Sequence, residues 1–81
     1  SARKPPYLYF RNASLEEIRH SLERKFNIPI KLEGISEEKY TLEFDSTATV
    51  REVLETLCVL DEHLTWRIGH NHTIILSIKH E

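Results

Sequence analysis

The sequence predicts an α+β domain made from a duplicated strand–helix–strand unit, in the order β-α-β-β-α-β-β. Three observations lead there. A short alternating segment ending in Phe occurs twice, as Leu8-Tyr9-Phe10 and Leu42-Glu43-Phe44. Each is followed by a polar turn, Arg11-Asn12-Ala13 or Asp45-Ser46-Thr47-Ala48, and then by an amphipathic stretch that opens on a capping box. Each amphipathic stretch leads into another alternating segment, Ile28-Pro29-Ile30 or Leu64-Thr65-Trp66.

Along the chain, Tyr7 to Arg11 places Leu8 and Phe10 on one face and Tyr9 on the other, and Pro5 and Pro6 fix the start of this strand. Ser14-Leu15-Glu16-Glu17 is the first capping box. Leu15, Ile18, Leu22 and Phe26 follow at spacings of three and four, one apolar stripe of a helix running to about Phe26. Glu16 and Glu17 suit the positive N-terminal end of that helix, and Arg24 and Lys25 suit its C-terminal end. Arg19, Glu23 and Arg24 read as a solvated face, and His20 as a boundary residue. Asn27 is a stop signal, and Pro29 prevents continuation.

Ile28, Ile30 and Leu32 alternate with Pro29, Lys31 and Glu33, a half-buried strand that Pro29 makes either an edge strand or irregular. Gly34 to Lys39 is a turn, and Tyr40, Leu42 and Phe44 form the next inward-facing set. Thr49-Val50-Arg51-Glu52 is the second capping box. The helix it opens carries Val50, Val53, Leu54, Leu57, Cys58 and Leu60, an apolar arc wide enough for neighbours on two sides. Asp61 and Glu62 end it. Leu64, Trp66 and Ile68 alternate, Gly69-His70-Asn71-His72 is a hairpin turn, and Ile74, Leu76 and Ile78 return as the last strand. Each strand–helix–strand unit is expected to make parallel neighbours through a right-handed crossover, and the last two strands an antiparallel hairpin.

Length and composition restrict what the domain does. Eighty-one residues make one domain, with residues 7–81 forming the fold and Ser1 to Pro6 a linker or tag remnant. The chain reads as a fragment of a larger protein. A composition of 40% apolar and 30% charged residues fits a globular domain. The 11 Lys and Arg are interleaved with 13 Asp and Glu for a net charge of −2, which argues against a nucleic-acid or anionic-membrane surface. No apolar run approaches the ~20 residues that span a bilayer.

The titratable residues form no reactive constellation. Cys58 lies between Leu57 and Val59 with no basic group beside it to lower its pKa, so it reads as a small core or boundary residue. His70 and His72 are two apart at a hairpin tip, and neither His63 nor His80 can be placed near them to complete a metal set. The adjacent pairs Glu16/Glu17, Glu37/Glu38 and Asp61/Glu62 sit at caps and turns, whereas a hydrolytic dyad faces across a cleft. With only Gly34 and Gly69, a glycine-rich phosphate loop is impossible. No catalytic, cofactor or metal site is expected, which moves the reading toward protein binding.

Leu8-Tyr-Phe-Arg-Asn-Ala-Ser-Leu-Glu-Glu-Ile18, Leu22-Glu-Arg-Lys-Phe-Asn-Ile-Pro-Ile30, Phe44-Asp-Ser-Thr-Ala-Thr-Val-Arg-Glu-Val-Leu54 and Trp66-Arg-Ile-Gly-His-Asn-His-Thr-Ile-Ile75 resemble the C-terminal domain of FecR-type anti-sigma regulators, in the variety common in Bacteroidetes. In plan the chain is also similar to the short N-terminal signalling domain of TonB-dependent transducers and secretins, with two helices packed between small mixed sheets. The resemblance implies a periplasmic domain of a single-pass inner-membrane protein. It would receive a signal from the signalling domain of an outer-membrane TonB-dependent transducer. Other parts of the full-length protein would hold an extracytoplasmic-function sigma factor. It implies no catalytic residues, no cofactor, no nucleic acid and no direct membrane contact by this region. Two alternatives stand beside it: the transducer or secretin signalling domain itself, and a small regulatory ligand-binding domain of ferredoxin-like type.

A partner can add a strand to an unpaired sheet edge. The sequence offers two candidates: the first strand with Tyr7 and Tyr9, and the last strand with Thr73, Ile75 and Ser77, where Ile75 points away from Ile74 and Leu76.

Overall fold

Capping fixes where each helix begins. The computed structural model describes residues 7–79; the linker expected at Ser1 to Pro6, and His80 and Glu81, lie outside the described residues. Strand β1 (Leu8–Ser14) runs directly into helix α1 (Leu15–Phe26). At the junction Ser14 Oγ accepts from the Glu17 N–H at 3.1 Å, and Glu17 Oε1 accepts from the Ser14 N–H at 2.8 Å. Helix α2 (Val50–Leu60) opens with the same reciprocal pair: Thr49 Oγ1 accepts from Glu52 N–H at 3.1 Å and Glu52 Oε1 from Thr49 N–H at 2.8 Å. Each box supplies acceptors for two backbone donors that a helix start otherwise leaves unpaired. Helix α1 stops at Asn27, which takes a left-handed conformation (φ 55°) and donates its N–H to the Glu23 carbonyl.

The remaining elements are β2 (Ile30–Glu33), β3 (Lys39–Phe44), β4 (Leu64–Ile68) and β5 (Ile74–Ile78), so the predicted order and α+β class hold. The strands divide between two sheets. β1 pairs antiparallel with β3, and a second sheet has the order β2-β5-β4, with β2 parallel and β4 antiparallel to β5. The expected β4–β5 hairpin is present. The expected parallel neighbours within each unit are not: β1 and β2 go to different sheets, as do β3 and β4. Each helix therefore crosses from one sheet to the other, and the parallel pair joins β2 of the first unit to β5 of the second.

One core fills the space between. Leu8, Phe10 and Ala13 of β1 and Tyr40 and Leu42 of β3 belong to the same buried cluster as Ile30, Leu64, Ile74 and Leu76 of the other sheet. Its most completely buried members are Leu76 of β5 and six helix residues: Leu15, Ile18 and Leu22 of α1, with Val53, Leu54 and Leu57 of α2. Fully burying a side chain of this size contributes about 1.5–3 kcal/mol, so these six set the helices in place.

Several local expectations are corrected. Arg11-Asn12-Ala13 is not a turn between strand and helix but a bulge inside β1. Phe10 faces Leu42 and Ala13 faces Tyr40, so Arg11 and Asn12 together oppose Thr41. The extra residue reverses the strand's parity, which lets Phe10 and Ala13, three apart, both point inward. Asn12 takes the left-handed conformation (φ 50°), and its N–H donates to Thr41 Oγ1 at 2.9 Å. In the second unit the corresponding segment is a true turn, closed by Asp45 Oδ1, which accepts from the N–H and the hydroxyl of Thr47.

β2 begins at Ile30 rather than Ile28, because Pro29 has no N–H to contribute. Arg19 and Glu23 do not form a freely solvated face. Glu23 Oε2 accepts from Ile30 N–H at 2.7 Å, Arg19 donates to the Ile30 carbonyl at 3.3 Å, and Arg19 also pairs with Glu16 and Glu23. These side chains take the backbone groups that edge strand β2 turns away from β5, leaving one residue fewer open to pairing. His20 is exposed rather than at a boundary. Trp66 is half-buried against the core, with the Arg51 guanidinium 4.9 Å from its ring centroid, and Ile68, expected inward with it, is exposed. The arc of α2 is narrower than its sequence suggested, since Leu60 is exposed.

Two backbone positions generate predictions. Gly34 has φ +102°, and a Cβ there would stand 2.9 Å from the Ile78 carbonyl oxygen. Gly34→Ala is expected to destabilise the domain by about 1–3 kcal/mol, read as a lower urea midpoint with unchanged slope. At the hairpin tip Asn71 and His72 both have positive φ (56° and 62°), the signature of a type I′ turn. Glycine meets no Cβ penalty in this conformation whereas His does, so His72→Gly is expected to stabilise by roughly 0.5–1 kcal/mol, seen as a rise in Tm.

Candidate protein-binding surfaces

The two tyrosines of the first strand project from the outer face of the β1–β3 ribbon. Tyr7 is 49% and Tyr9 51% exposed, and their ring centroids lie 6.3 Å apart. Tyr9 faces Glu43 across the ladder. Among the described residues β1 has β3 as its one sheet neighbour, which leaves its other edge open to pairing.

The last strand is not an edge. β5 lies between β2 and β4, and its backbone groups are committed on both sides, so a partner cannot add a strand to it. The periodicity of Ile74, Leu76 and Ile78 revealed a strand but not its place in the sheet. The edges of this sheet are β2, as Pro29 indicated, and β4. Thr73 closes the hairpin, donating its N–H to the His70 carbonyl at 3.0 Å and accepting from Gly69 N–H at 2.7 Å. Ile75 is half-buried, its side chain folded over Gly69. Ser77 accepts from Arg67 at 3.0 Å and donates to Glu33 at 2.9 Å, while Arg67 also reaches both Glu33 oxygens at 3.2 Å. This network spans all three strands and, through Ser77 first and Arg67 second, holds the Glu33 carboxyl below its usual range. The five candidate residues thus form two groups on different sheets, and the fold does not bring them together.

A polar cluster that the sequence reading did not find lies where β3 meets the end of α2. Tyr40 is 5% exposed, and its hydroxyl donates to Asp61 Oδ2 at 2.6 Å. Asp61 Oδ1 accepts from His63 N–H at 2.9 Å, and Ser36 Oγ lies 3.4 Å from the Tyr40 oxygen. A signal was available: a tyrosine at an inward strand position needs a partner for its hydroxyl, and Asp61 follows the helix directly. Burial first, and the hydrogen bond to Asp61 second, push the Tyr40 hydroxyl up to about 12. Burial also raises the Asp61 carboxyl, but the hydrogen bonds from Tyr40 and His63 outweigh it and hold the group below the usual carboxylate range. The tyrosine therefore keeps its proton and the aspartate stays ionised, which makes a structural strut and supplies no activated nucleophile. Cys58 is half-buried, and burial raises its thiol, with Asp61 and Glu55 adding to the effect. His70 and His72 are exposed at the hairpin tip, and no cluster of metal-binding type occurs among the described residues.

The model of the family described as FecR, C-terminal, matches residues 7–76. The chain belongs to that family. Two crystal structures of a candidate anti-sigma factor from Parabacteroides distasonis ATCC 8503, at 1.65 Å and 2.50 Å resolution, share the fold. They superpose with TM-scores of 0.81 and 0.80 at 22% identity, over 91% of this chain and 34% of theirs. The chain spans about a third of the length of these solved relatives. No curated protein matches it. The FecR C-terminal fold seen here contains no helix long and apolar enough to cross a membrane among the described residues.

The strut has a pH signature. Tyr40 is raised in the folded state, so the stability it contributes is complete below pH 10 and is lost as pH rises toward about 12. Asp61 is lowered, so its contribution is present above the ordinary carboxylate range and is lost as pH falls through its depressed value. Absorbance titration at alkaline pH is expected to show a tyrosine ionising near 12 that moves down in Asp61→Asn and disappears in Tyr40→Phe.

Proposed function

We propose that this domain is the periplasmic receiving module of a membrane-anchored anti-sigma regulator. It takes a signal from the signalling domain of an outer-membrane TonB-dependent transducer and passes it to an extracytoplasmic-function sigma factor held by other parts of the full-length protein. The observation that carries this reading is the FecR C-terminal match over residues 7–76. The surface chemistry supports it: exposed aromatic residues and an open strand edge suit a protein partner. On this reading Tyr7 and Tyr9 offer an edge and an aromatic face. Thr73, Ile75 and Ser77 act through the outer face of the second sheet, because β5 has no free edge.

Calorimetric titration of the domain with the periplasmic signalling domain of its transducer is expected to give saturable 1:1 binding. No saturable binding at high micromolar concentration overturns the relay. Tyr9→Asp and Ile75→Asp are each expected to weaken that binding by about tenfold. Unchanged affinity in both folded variants removes these two faces from the contact.

A further inference from the structure

The open edge of β3 and helix α2 form the two walls of one groove. Toward the C-terminal end of β3 the groove is lined by Glu43, Phe44 and Asp45 on the strand side and Glu52, Glu55 and Val59 on the helix side. Toward the N-terminal end Lys39, Tyr40 and Thr41 face Val59 and Leu60. Val59 belongs to both stretches, and no residue of β1 lines either. The groove therefore lies on the edge of β3 that β1 leaves unpaired among the described residues.

Its helix side carries both apolar and acidic side chains. Val59 is 83% and Leu60 58% exposed, a large apolar display for a helix whose other face is fully buried. Around Val59 stand the carboxylates of Glu43, Asp45, Glu52 and Glu55, the last 3.8 Å from Arg51, while Lys39 is the one Lys or Arg lining the stretch that holds Leu60. The Tyr40–Asp61 hydrogen bond of 2.6 Å ties the strand to the end of the helix and sets the width of the groove there.

We propose that this groove binds an extended, basic segment of a partner protein as an added strand on β3. The backbone of the segment pairs with the open edge, alternate apolar side chains rest on Val59 and Leu60, and its Lys and Arg side chains meet the carboxylate rim. A second copy of this domain is the wrong occupant, because it would bring a second set of these carboxylates against the first. The strand edge used differs from that of β1 and from the Thr73/Ile75/Ser77 face, Glu43 being the residue that borders both the groove and Tyr9, and the proposal stands apart from which protein delivers the segment.

The test uses the ¹⁵N-labelled chain and an acetylated, amidated peptide of alternating Lys and Val. Saturable amide shifts are expected along β3 and α2, centred on Thr41, Glu43 and Val59. Three changes are each expected to weaken binding by about tenfold: N-methylation of alternate peptide nitrogens, Val59→Lys and Glu55→Lys. Both substitutions fall on exposed positions, so circular dichroism should show the fold retained. An alternating Glu and Val peptide should not bind. Equal binding of the N-methylated peptide reduces the site to charge attraction and overturns the proposal. So do shifts confined to the edges of β1, β2 or β4, an absence of saturable shifts at millimolar peptide, or a β3-mediated dimer in sedimentation.

Discussion

Burial of one face of each small sheet against the same pair of helices is the interaction on which the rest of this structure depends. A two-stranded ribbon such as β1–β3 is marginal in water by itself, and a three-stranded sheet needs a covered apolar face. The helices have the same need, since 11 or 12 residues sustain little helix without tertiary packing. The shared cluster of Leu15, Ile18, Leu22, Val53, Leu54 and Leu57 answers all four requirements at once. Because every element draws on the same core, the sheets are left with outer faces and edges that the core does not use. Those surfaces are what the fold leaves open to a partner.

Polar groups finish what the core begins, at places where backbone would otherwise stand open. The Arg19–Glu23 bracket covers Ile30 on the edge of β2, and the Tyr40–Asp61 pair closes β3 onto α2. Asn12 and Thr41 hold the bulge that keeps β1 inward-facing across a change of parity. The Glu33–Ser77–Arg67 network crosses the second sheet on its solvent side, where exposure keeps its contribution small. None of these groups would make a fold, but together they decide which edges stay available.

Much of this was legible in the sequence, and the part that was not has a physical reason. The capping boxes at Ser14 and Thr49 announced both helices because the signal is local and chemical. The inward positions of Leu8, Phe10, Tyr40, Leu42, Ile74 and Leu76 followed from a period of two. Strand partnership did not follow, because nothing in Ile74 to Ile78 says whether one neighbour or two will lie beside it. β5 consequently looked like an edge. Asn12 looked like a turn because a bulge and a turn both call for a residue that accepts positive φ. Trp66 and Ile68 share parity but not burial, because a period of two marks a face of β4 and does not say how much of that face is covered. The FecR resemblance was carried by the hydrophobic pattern itself. The groove beside β3 was invisible because it is made by two segments that meet only in the folded state.

The central position of β5 also governs the order in which the domain can be made. The chain delivers β2 early and β4 later, yet neither has a sheet neighbour until β5, the last element, arrives between them. Pairing Ile30 with Ile74 closes a loop of more than half the chain, and non-local pairings of this kind slow folding. A chain emerging from its N-terminal end can complete the β1–β3 ribbon and both helices while the second sheet still lacks its middle strand. Insertion of β5 between β2 and β4 is therefore what completes the second sheet.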